Sequence, residues 1–312
     1  MAPLYFYLKR FPNILFAYFF VYEVRFEYQF SFLFVKKNDI QFDVVYAHFL
    51  VNGFMAVKAL ADYDKPIFVA EGELKNINLR RTYYNPTVYS NLISKISGFI
   101  AVSPQIEDNL IEVGVSPDKI IIKPNAVDFT HFYKRDRIEM RKKHGLPLDR
   151  KLVIFVGRFV EDKGPVRVLE AVEKINNINI IYVGGGSQKL ESEKIVFKNK
   201  VTIDLVPELL SAADVFVLPT LHEGSCNAIV EAMACGLPIV SSDIPEIRFQ
   251  CDPSCSILVD PMNVGAIEKA IIEIISDENK QEEMSKAALG YSEQFELTKR
   301  AESILKFIAD RL

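Results

Sequence analysis

The strongest constraint on the fold is a series of short apolar runs that alternate with longer segments of helical period. Each run is apolar throughout and does not alternate with polar residues, as expected for parallel strands that are buried on both faces. The intervening segments, such as 166–175 and 266–275, have the apolar spacing of amphipathic helices. This alternation predicts βαβ units and an α/β fold. The predicted strands are 44–47, 67–70, 99–102, 120–122, 153–156, 178–183, 215–218, 239–241 and 257–259.

The polar, charged segment 133–150 marks the best domain boundary, because strands lead up to it and a new strand begins at Leu152. The length of 312 residues corresponds to about two domains of ~150 residues each. We therefore predict two Rossmann-like, doubly wound domains, 1–145 and 146–290, followed by a C-terminal helix in 291–312. In such sheets ligands bind outside the carboxyl ends of the strands. The residues directly after each strand are thus the candidates for function.

Charge and apolar content restrict the functional class. The 37 basic and 41 acidic residues give a net charge of −4, which provides no basic surface for a nucleic acid partner. Residues 1–34 hold 14 of the 36 Phe and Tyr residues, yet the longest apolar run there, 14–22, is shorter than the ~20 residues of a spanning helix. No small-residue cleavage site follows it. We predict a cytoplasmic protein.

The four cysteines fit that compartment. They lie in the last third of the chain without a CxxC pair or a nearby His, whereas zinc sites have tighter, paired spacing. Free cytosolic thiols are the favoured interpretation. The residues are Cys226, Cys235, Cys251 and Cys255.

The loop after strand 153–156 carries two cations, Arg158 and Lys163, and then Gly164 and Pro165. Pro165 suits a first helical position, where its missing N–H has no partner to lose. The free N–H groups of a helix start favour an anion, so the loop is either an anion site or a pair of solvated charges. The GxxxxGK[ST] pattern of a P-loop is absent. Spacing alone does not separate the two interpretations.

The loop after strand 215–218 favours the anion site. Glu223 lies in this loop, and Glu231 lies eight residues further on, about two turns along the next helix. Gly224 allows a ligand to approach the backbone, and the N–H groups of Ser225 and Asn227 lie at the start of the helix. A carboxylate beside a second anion site indicates a hydroxyl-rich partner. Together the two loops describe a site for a nucleotide-sugar.

These motifs resemble those of the retaining GT-B glycosyltransferases of family 4. The sequence HEGSCNAIVEAMACGLPIVSSD, which contains Glu223 and Glu231, is similar to the E-x7-E signature, and GRFVEDKG is similar to the GR…KG element. The glycines around Gly185 resemble the family's glycine turn. In the N-terminal half, KRFPNILFAYFFVYEV, DVVYAHF, and the stretch from IAVSPQIEDNLIEVGV to PNAVDFTHF match more weakly. The resemblance covers nearly the whole chain.

The resemblance implies a GT-B fold whose two domains face each other across a cleft. Domain 1–145 would bind the acceptor and domain 146–290 the nucleotide-sugar donor, and the helix in 291–312 would return toward the first domain. Of the residues carried over, Arg158 and Lys163 would neutralise the donor diphosphate, Glu223 would contact the transferred sugar, and Glu231 would accept hydrogen bonds from the ribose. The remaining donor-binding residues would be Gly224, Ser225, Asn227 and Gly185. The family uses no metal, so we expect no cofactor.

Candidate contacts to acceptor or sugar follow strands of the first domain: His48, Glu71, Ser103 and Asn125. For each of them a structural role, such as a helix cap, is the alternative. The chain departs from the family pattern at Glu71, where the family commonly has a sugar-contacting His. It also departs at Asn125-Ala126 in place of Asn-Gly, and in the short segment 200–213.

The leading hypothesis is a retaining hexosyltransferase-type enzyme that moves a sugar from a nucleotide-sugar to a glycan or lipid-linked glycan in polysaccharide biosynthesis. A degenerate transferase that binds nucleotide as a partner subunit is the alternative, and a GT-B epimerase is a third hypothesis. The aromatic N-terminus is interpreted as core of the acceptor domain, with a helix at 14–22 and a strand at 26–35. A peripheral membrane contact through this segment is the alternative for its surface.

Overall fold

The computed structural model describes the backbone of residues 14–17 and all atoms of residues 42–72 and 85–312. These residues form two compact α/β units. The first unit contains the described residues up to Pro124 together with 298–312, and the second extends from Asn125 to Leu297.

The first unit has a five-stranded sheet in which the described strands follow one another in the order β1-β2-β3-β4-β5, and all its pairs are parallel. The strands are β1 (Ile14–Ala17), β2 (Val44–His48), β3 (Ile67–Glu71), β4 (Gly98–Ala101) and β5 (Ile120–Ile122). The helices are α1 (Leu50–Ala59), α2 (Pro86–Ser94), α3 (Pro104–Glu112) and, after the second unit, α11 (Leu297–Ala309).

The second unit has a six-stranded sheet in the order β11-β10-β9-β6-β7-β8, again with parallel pairs. Its strands are β6 (Lys151–Arg158), β7 (Ile178–Gly185), β8 (Ile195–Asn199), β9 (Val215–Leu218), β10 (Ile239–Ser242) and β11 (Ser256–Val259). Its helices are α4 (Arg137–Lys143), α5 (Pro165–Glu173), α6 (Val206–Ala212), α7 (Asn227–Ala234), α8 (Pro245–Gln250), α9 (Val264–Ile275) and α10 (Glu278–Ser292).

The continuous apolar runs form buried strands, as parallel sheets covered on both faces require. Strands β6, β7 and β9 contribute fully buried side chains such as Ile154, Tyr182 and Phe216 to the core of the second unit. A separate core in the first unit is built around Val45, Val69 and their neighbours. The Tyr182 hydroxyl donates to the carbonyl of Pro165 at 2.7 Å, which fixes the first turn of α5.

The helix predicted at 14–22 is wrong, because Ile14–Ala17 is a strand that pairs in parallel with β2. Ile and Phe favour a pleated surface, and the backbone of this run completes the edge of the first sheet. The rest of that prediction, residues 18–22, and the predicted strand at 26–35 lie outside the described residues. Strand β8 was not predicted; its residues are half-buried or exposed, which weakens the apolar signal.

The structure divides the chain earlier than the predicted boundary after residue 145. Segment 125–150 belongs to the second unit because its apolar side chains Phe132 and Met140 join the second core. Arg141 in α4 is buried and donates to Asp214 at 2.6 Å. This buried ion pair ties the segment to the start of β9, so the charged stretch is anchored rather than a free linker.

Candidate functional site

The strand order of the second sheet reverses at β6, because β6 lies between β7 and β9. Such a switch point leaves a crevice outside the carboxyl ends of the two central strands, where doubly wound proteins bind ligands. The two loops singled out in the sequence follow β6 and β9. The fold therefore brings them together at one position.

The loop after β6 presents one free cation and one paired cation. Arg158 is exposed at the end of β6, and its guanidinium has no hydrogen bond or ion pair within the described part of the chain. A short 3-10 turn, Glu161–Lys163, leads to Gly164, whose φ of 69° lies in the left-handed region. A Cβ at Gly164 would lie 2.7 Å from the carbonyl oxygen of Pro219, so the close approach of the two loops requires glycine.

Lys163 and Glu223 form an ion pair across the two loops. The Lys163 ammonium also lies 3.4 Å from the Thr220 hydroxyl oxygen. Both members of the pair are largely buried, with 17% and 12% of the side chain exposed. Two residues that the sequence assigned to separate tasks, diphosphate neutralisation and sugar contact, are therefore direct neighbours.

Further hydrogen bonds join the two loops through their backbones. The Leu221 N–H donates to the Asp162 carbonyl at 2.7 Å. Arg167, buried in α5, donates through Nη2 to the carbonyls of Glu161 and Pro219, both at 3.0 Å, and also pairs with the Glu161 carboxylate. Arg167, which was not among the predicted site residues, thus joins the two loops by hydrogen bonds to both.

The start of α7 is held by Gln250, a buried side chain at the end of α8. Its Oε1 accepts from the Cys226 N–H at 2.8 Å, and its Nε2 donates to the Ser225 hydroxyl at 3.0 Å. The Asn125 N–H donates to the same hydroxyl at 3.0 Å. With two donors aimed at its oxygen, the Ser225 hydroxyl keeps its own proton for another acceptor.

The predicted donor residues around Ser225 differ in exposure. Asn227, the first residue of α7, is exposed, and Gly224 is half-buried in the loop. The Asn125 side chain donates to the Ser225 carbonyl at 2.9 Å and groups with the second unit. Asn125, predicted as an acceptor-side contact, is thus placed against the donor loop.

Glu231 lies in α7 with its carboxylate half-buried and without a hydrogen bond to any residue that the structure describes. Burial raises its pKa to about 7, and the nearby His131 opposes that shift. A partly desolvated carboxylate that lacks a protein donor is suited to accept hydrogen bonds from hydroxyl groups. The ribose contact that the family resemblance implies for Glu231 stays a prediction.

The glycine turn after β7 packs against the β6 loop. Gly184 has a φ of 142°, and a Cβ there would lie 1.9 Å from the Gly157 carbonyl oxygen. The Phe159 N–H donates to the Gly185 carbonyl at 2.9 Å. Around the Cβ position of Gly185 the space is open, since no described atom lies within 4 Å. Gly184 is therefore required by packing, while Gly185 borders open space at the same sheet edge.

Glu71 caps a helix. Its carboxylate is fully buried and accepts from the N–H of Leu50 at 2.8 Å and from the N–H of Gly72 at 3.0 Å. The N-cap residue of α1 is Phe49, which has a φ of 68° and no polar side chain with which to cap the helix. A carboxylate at a helix N-terminus also interacts favourably with the helix dipole. The capping alternative describes the geometry of Glu71.

His48 and Ser103 both lie at carboxyl ends of strands in the first unit. His48 ends β2, and burial together with the charge of Arg300 lowers its pKa to about 4. Ser103 is buried at the N-cap of α3, yet its hydroxyl makes no capping hydrogen bond there. The functional roles assigned to these residues stay predictions.

Metal-ligating clusters and spanning helices are both absent from the described residues. In those ranges no three His, Cys, Asp or Glu side chains are grouped so as to hold a metal ion. None of the described helices combines the length and apolar character needed to cross a membrane. All four cysteines are buried free thiols.

The fold identifies the structural class. The structure matches sucrose-phosphate synthase from Thermosynechococcus elongatus with a TM-score of 0.77 at 20% identity, covering 94% of this chain and 81% of that one. It matches Anabaena HepE, solved with UDP and glucose, with a TM-score of 0.75 at 18% identity, covering 89% and 81%. Two parallel-sheet α/β domains with these neighbours define a GT-B fold.

The family follows from sequence comparison. The profile described as glycosyl transferases group 1 matches residues 136–290, and that described as glycosyltransferase family 4 matches residues 5–131. The chain belongs to this family of glycosyltransferases. Together the two profiles cover most of the chain and confirm the resemblance drawn from the E-x7-E and GR…KG motifs.

Two relatives illustrate the family. A protein named as a teichuronic acid biosynthesis glycosyltransferase, TuaC of Bacillus subtilis, is 25% identical over 244 residues, which is 76% of this chain and 62% of the relative. A D-inositol 3-phosphate glycosyltransferase of Acidothermus cellulolyticus is 27% identical over 223 residues, covering 64% and 50%. The matched region thus spans one half to about three fifths of these relatives.

Proposed function

We propose that this protein is a retaining glycosyltransferase that moves a sugar from a nucleotide-sugar to a glycan or lipid-linked glycan, without a metal ion. The observation that carries the proposal is the convergence at the switch point of β6 and β9. There β6 ends on a free guanidinium (Arg158), and the loop after it carries an ammonium (Lys163). This ammonium pairs with the Glu223 carboxylate in the loop after β9, and α7, which follows that loop, carries a second carboxylate (Glu231). Cations suit a diphosphate, and carboxylates suit the hydroxyl groups of sugars.

In this proposal the leaving diphosphate is stabilised by fixed charge. Arg158 and Lys163 neutralise the negative charge that grows as the bond between the anomeric carbon and the phosphate oxygen breaks. The N–H groups at the start of α7 add their partial positive charge. Removal of one such preorganised group typically costs ~3 kcal/mol of barrier, or about a hundredfold in rate. In family members with a metal-free site, cations and helix ends take the role that a divalent ion has elsewhere.

Retention of configuration follows if the acceptor attacks from the face that the diphosphate leaves. The new bond joins the acceptor oxygen to the anomeric carbon, and the acceptor proton passes to an oxygen of the departing phosphate. Glu223 would hold hydroxyls of the transferred sugar, and Glu231 would accept from the ribose hydroxyls. The names of the relatives support a sugar-transfer reaction, and UDP bound to the Anabaena neighbour supports a nucleotide donor.

A second candidate is a degenerate transferase that binds nucleotide and serves as a partner subunit. The observation in its favour is Glu71, which stands where the family commonly has a sugar-contacting His. Both Glu71 carboxylate oxygens accept from backbone N–H groups, and the side chain is buried. Glu71 is therefore engaged in holding α1.

The two candidates are separated by a donor panel. UDP-, GDP- and ADP-sugars are incubated with the protein and candidate acceptors, and release of nucleoside diphosphate is measured beside thermal shift. We expect the wild type to transfer sugar, Lys163→Ala to lose this activity, and the exposed-site control Lys269→Ala to keep it. If diphosphates raise the melting temperature while no sugar is transferred, the partner-subunit candidate is correct.

The compartment and the acceptor belong to the same proposal. We place the protein in the cytoplasm, with a lipid-linked acceptor presented at the cytoplasmic face of a membrane. The aromatic and basic side chains before residue 38, none of which the structure describes, would supply peripheral contact. Co-sedimentation with anionic liposomes tests this contact: binding that is unchanged when residues 1–12 are deleted would rule out the segment 1–12 as an anchor.

A further inference from the structure

Arg300 lies in α11, the helix that packs on one face of the first sheet. Phe307 of the same helix contacts Phe68 of β3, with ring centroids 6.0 Å apart. Seven residues correspond to about two turns, so Arg300 and Phe307 lie on the same side of the helix. Arg300 therefore faces the sheet rather than solvent, and its side chain is only partly exposed.

The guanidinium reaches the carboxyl edge of that sheet. Its Nε donates to the carbonyl of Pro124 at 2.6 Å, and its Nη2 lies 3.3 Å from the carbonyl oxygen of Lys123. Both carbonyls follow directly after β5. The carboxyl edge of a parallel sheet is where ligands bind in folds of this type.

Arg300 has no carboxylate partner in the part of the chain that the structure describes. Within the described residues no Asp or Glu oxygen lies within 4.0 Å of its guanidinium, and Nη1 makes no hydrogen bond. Burial lowers the pKa of Arg300. Buried charges are normally paired, and the two arginines that are buried among the described residues follow the rule: Arg141 pairs with Asp214, and Arg167 with Glu161.

His48 and Glu71, two titratable groups at the carboxyl ends of β2 and β3, do not supply the missing charge. Tyr46 and Phe68 are partners in the register of β2 and β3, so His48, two residues beyond Tyr46, lies on the same face as Phe68. The positive charge of Arg300 and burial hold the pKa of His48 at about 4, so this imidazole is neutral at neutral pH. Glu71 lies on the opposite face of β3, where its carboxylate accepts from the N–H groups that it caps.

We propose that Arg300 anchors an oxoanion site in the first unit and that the acceptor carries a phosphate or carboxylate group. The N–H donors of Nη1 are free of hydrogen bonds to the described residues, and a guanidinium donates strong charge-assisted hydrogen bonds to the oxygens of such groups. The neutral His48 beside it provides a further polar group without adding charge. The assignment of this anion to the acceptor rests on the proposed function, but the anion site itself is independent of any transfer.

The test measures anion binding by the full chain. Melting temperature is recorded with inorganic phosphate against chloride at matched ionic strength, in the wild type, Arg300→Gln and Arg300→Lys. Arg158→Gln identifies any phosphate bound at the loops of the second unit, and Lys306→Gln removes an exposed charge from the same helix. Each variant is compared with itself in chloride, so a change in its basal stability does not affect the result.

The expected result is a phosphate-dependent rise of several degrees in the wild type, Arg158→Gln and Lys306→Gln. Arg300→Gln should lose it, and Arg300→Lys should retain part of it. Glucose 6-phosphate and glucuronate, each compared with glucose, distinguish a phosphate from a carboxylate site. Whichever of the two binds the wild type more tightly should bind Arg300→Gln with an apparent Kd about tenfold higher. The absence of any wild-type shift, or an equal shift in Arg300→Gln, would overturn the proposal.

Nucleotide-sugar binding is measured on the same samples, which separates the two conclusions. An Arg300-dependent phosphate shift in a protein that binds no nucleotide-sugar would leave the anion site in place and contradict the proposed function. If the nucleotide-sugar binds equally well to the wild type and Arg300→Gln, and no sample responds to the anion, the proposed function stands and the anion site is contradicted.

Discussion

The ion pair between Lys163 and Glu223 can be tested by a double-mutant cycle that separates stability from catalysis. Exposed ion pairs contribute about 0–1 kcal/mol, whereas loss of one partner of a fully buried pair costs about 3–5 kcal/mol. Because 17% and 12% of these side chains are exposed, we expect Lys163→Met or Glu223→Gln alone to cost about 1–3 kcal/mol of unfolding free energy. The double variant leaves no uncompensated charge, so it should recover most of that loss.

Turnover should behave differently. If Lys163 neutralises the leaving diphosphate, removal of its charge costs ~3 kcal/mol of barrier, which is about a hundredfold in kcat. The double variant still lacks this cation, so it should remain at least as slow as Lys163→Met although it folds as stably as the wild type.

The assay combines urea denaturation with release of nucleoside diphosphate, for the wild type, both single variants and the double variant. Lys143 and Glu208 form a more exposed pair at 2.8 Å in the same unit, and the cycle of Lys143→Met and Glu208→Gln is the matched control. This control should change stability by less than about 1 kcal/mol and leave turnover unchanged. Recovery of turnover in the Lys163/Glu223 double variant would refute the diphosphate role and leave the pair with a structural role only.

Three further predictions concern single positions. Burial raises the Glu231 pKa to about 7, so between about pH 4.5 and 7 the folded state binds more protons than the unfolded state, and wild-type stability falls as the pH rises. Glu231→Gln should abolish this pH dependence in thermal melts from pH 4 to 8. Gly184→Ala should lower the unfolding free energy by about 3 kcal/mol or more, because its Cβ clashes with the Gly157 carbonyl. Gly185→Ala should lower it by less than about 1 kcal/mol and should weaken only donor binding. Denaturation measures the first effect and ligand titration the second. Glu71→Gln should cost about 1–3 kcal/mol by leaving one backbone N–H without an acceptor, and a fall in kcat beyond that of equally destabilised variants would contradict a capping role.

Five of the six strands of the second unit were predictable because each contains a continuous apolar run, and β9 at Val215–Leu218 matches its predicted bounds. Two kinds of element were not. Strand β8 is an edge strand with half-buried and exposed residues, so its pattern resembles a loop. The run at 14–22 has the length of a short helix as well as a strand, and only pairing with β2 identifies Ile14–Ala17 as β1.

The candidate site shows the same division between local and long-range information. Arg158 ends β6, and Lys163 and Glu223 lie in the loops that follow β6 and β9, so inspection of the strand ends and the loops after them identifies all three. Arg167 lies inside α5 and Gln250 lies at the end of α8. Their side chains make hydrogen bonds to loop residues that are 52 and 24 positions away in the sequence, respectively. A buried Arg or Gln in a helix is the only local signal, and it does not say which loop the side chain will hold.

Glu71 shows why a matched position does not transfer a role by itself. The family pattern predicts a sugar contact at this position, yet the identity of the N-cap decides what the carboxylate does. Phe49 cannot cap α1, so the first N–H groups of that helix need an acceptor from elsewhere, and Glu71 of the neighbouring strand provides it. A His side chain could not accept from two N–H groups at once. The Glu71 carboxylate is therefore engaged in holding the start of α1, which a His side chain at this position would do with one acceptor fewer.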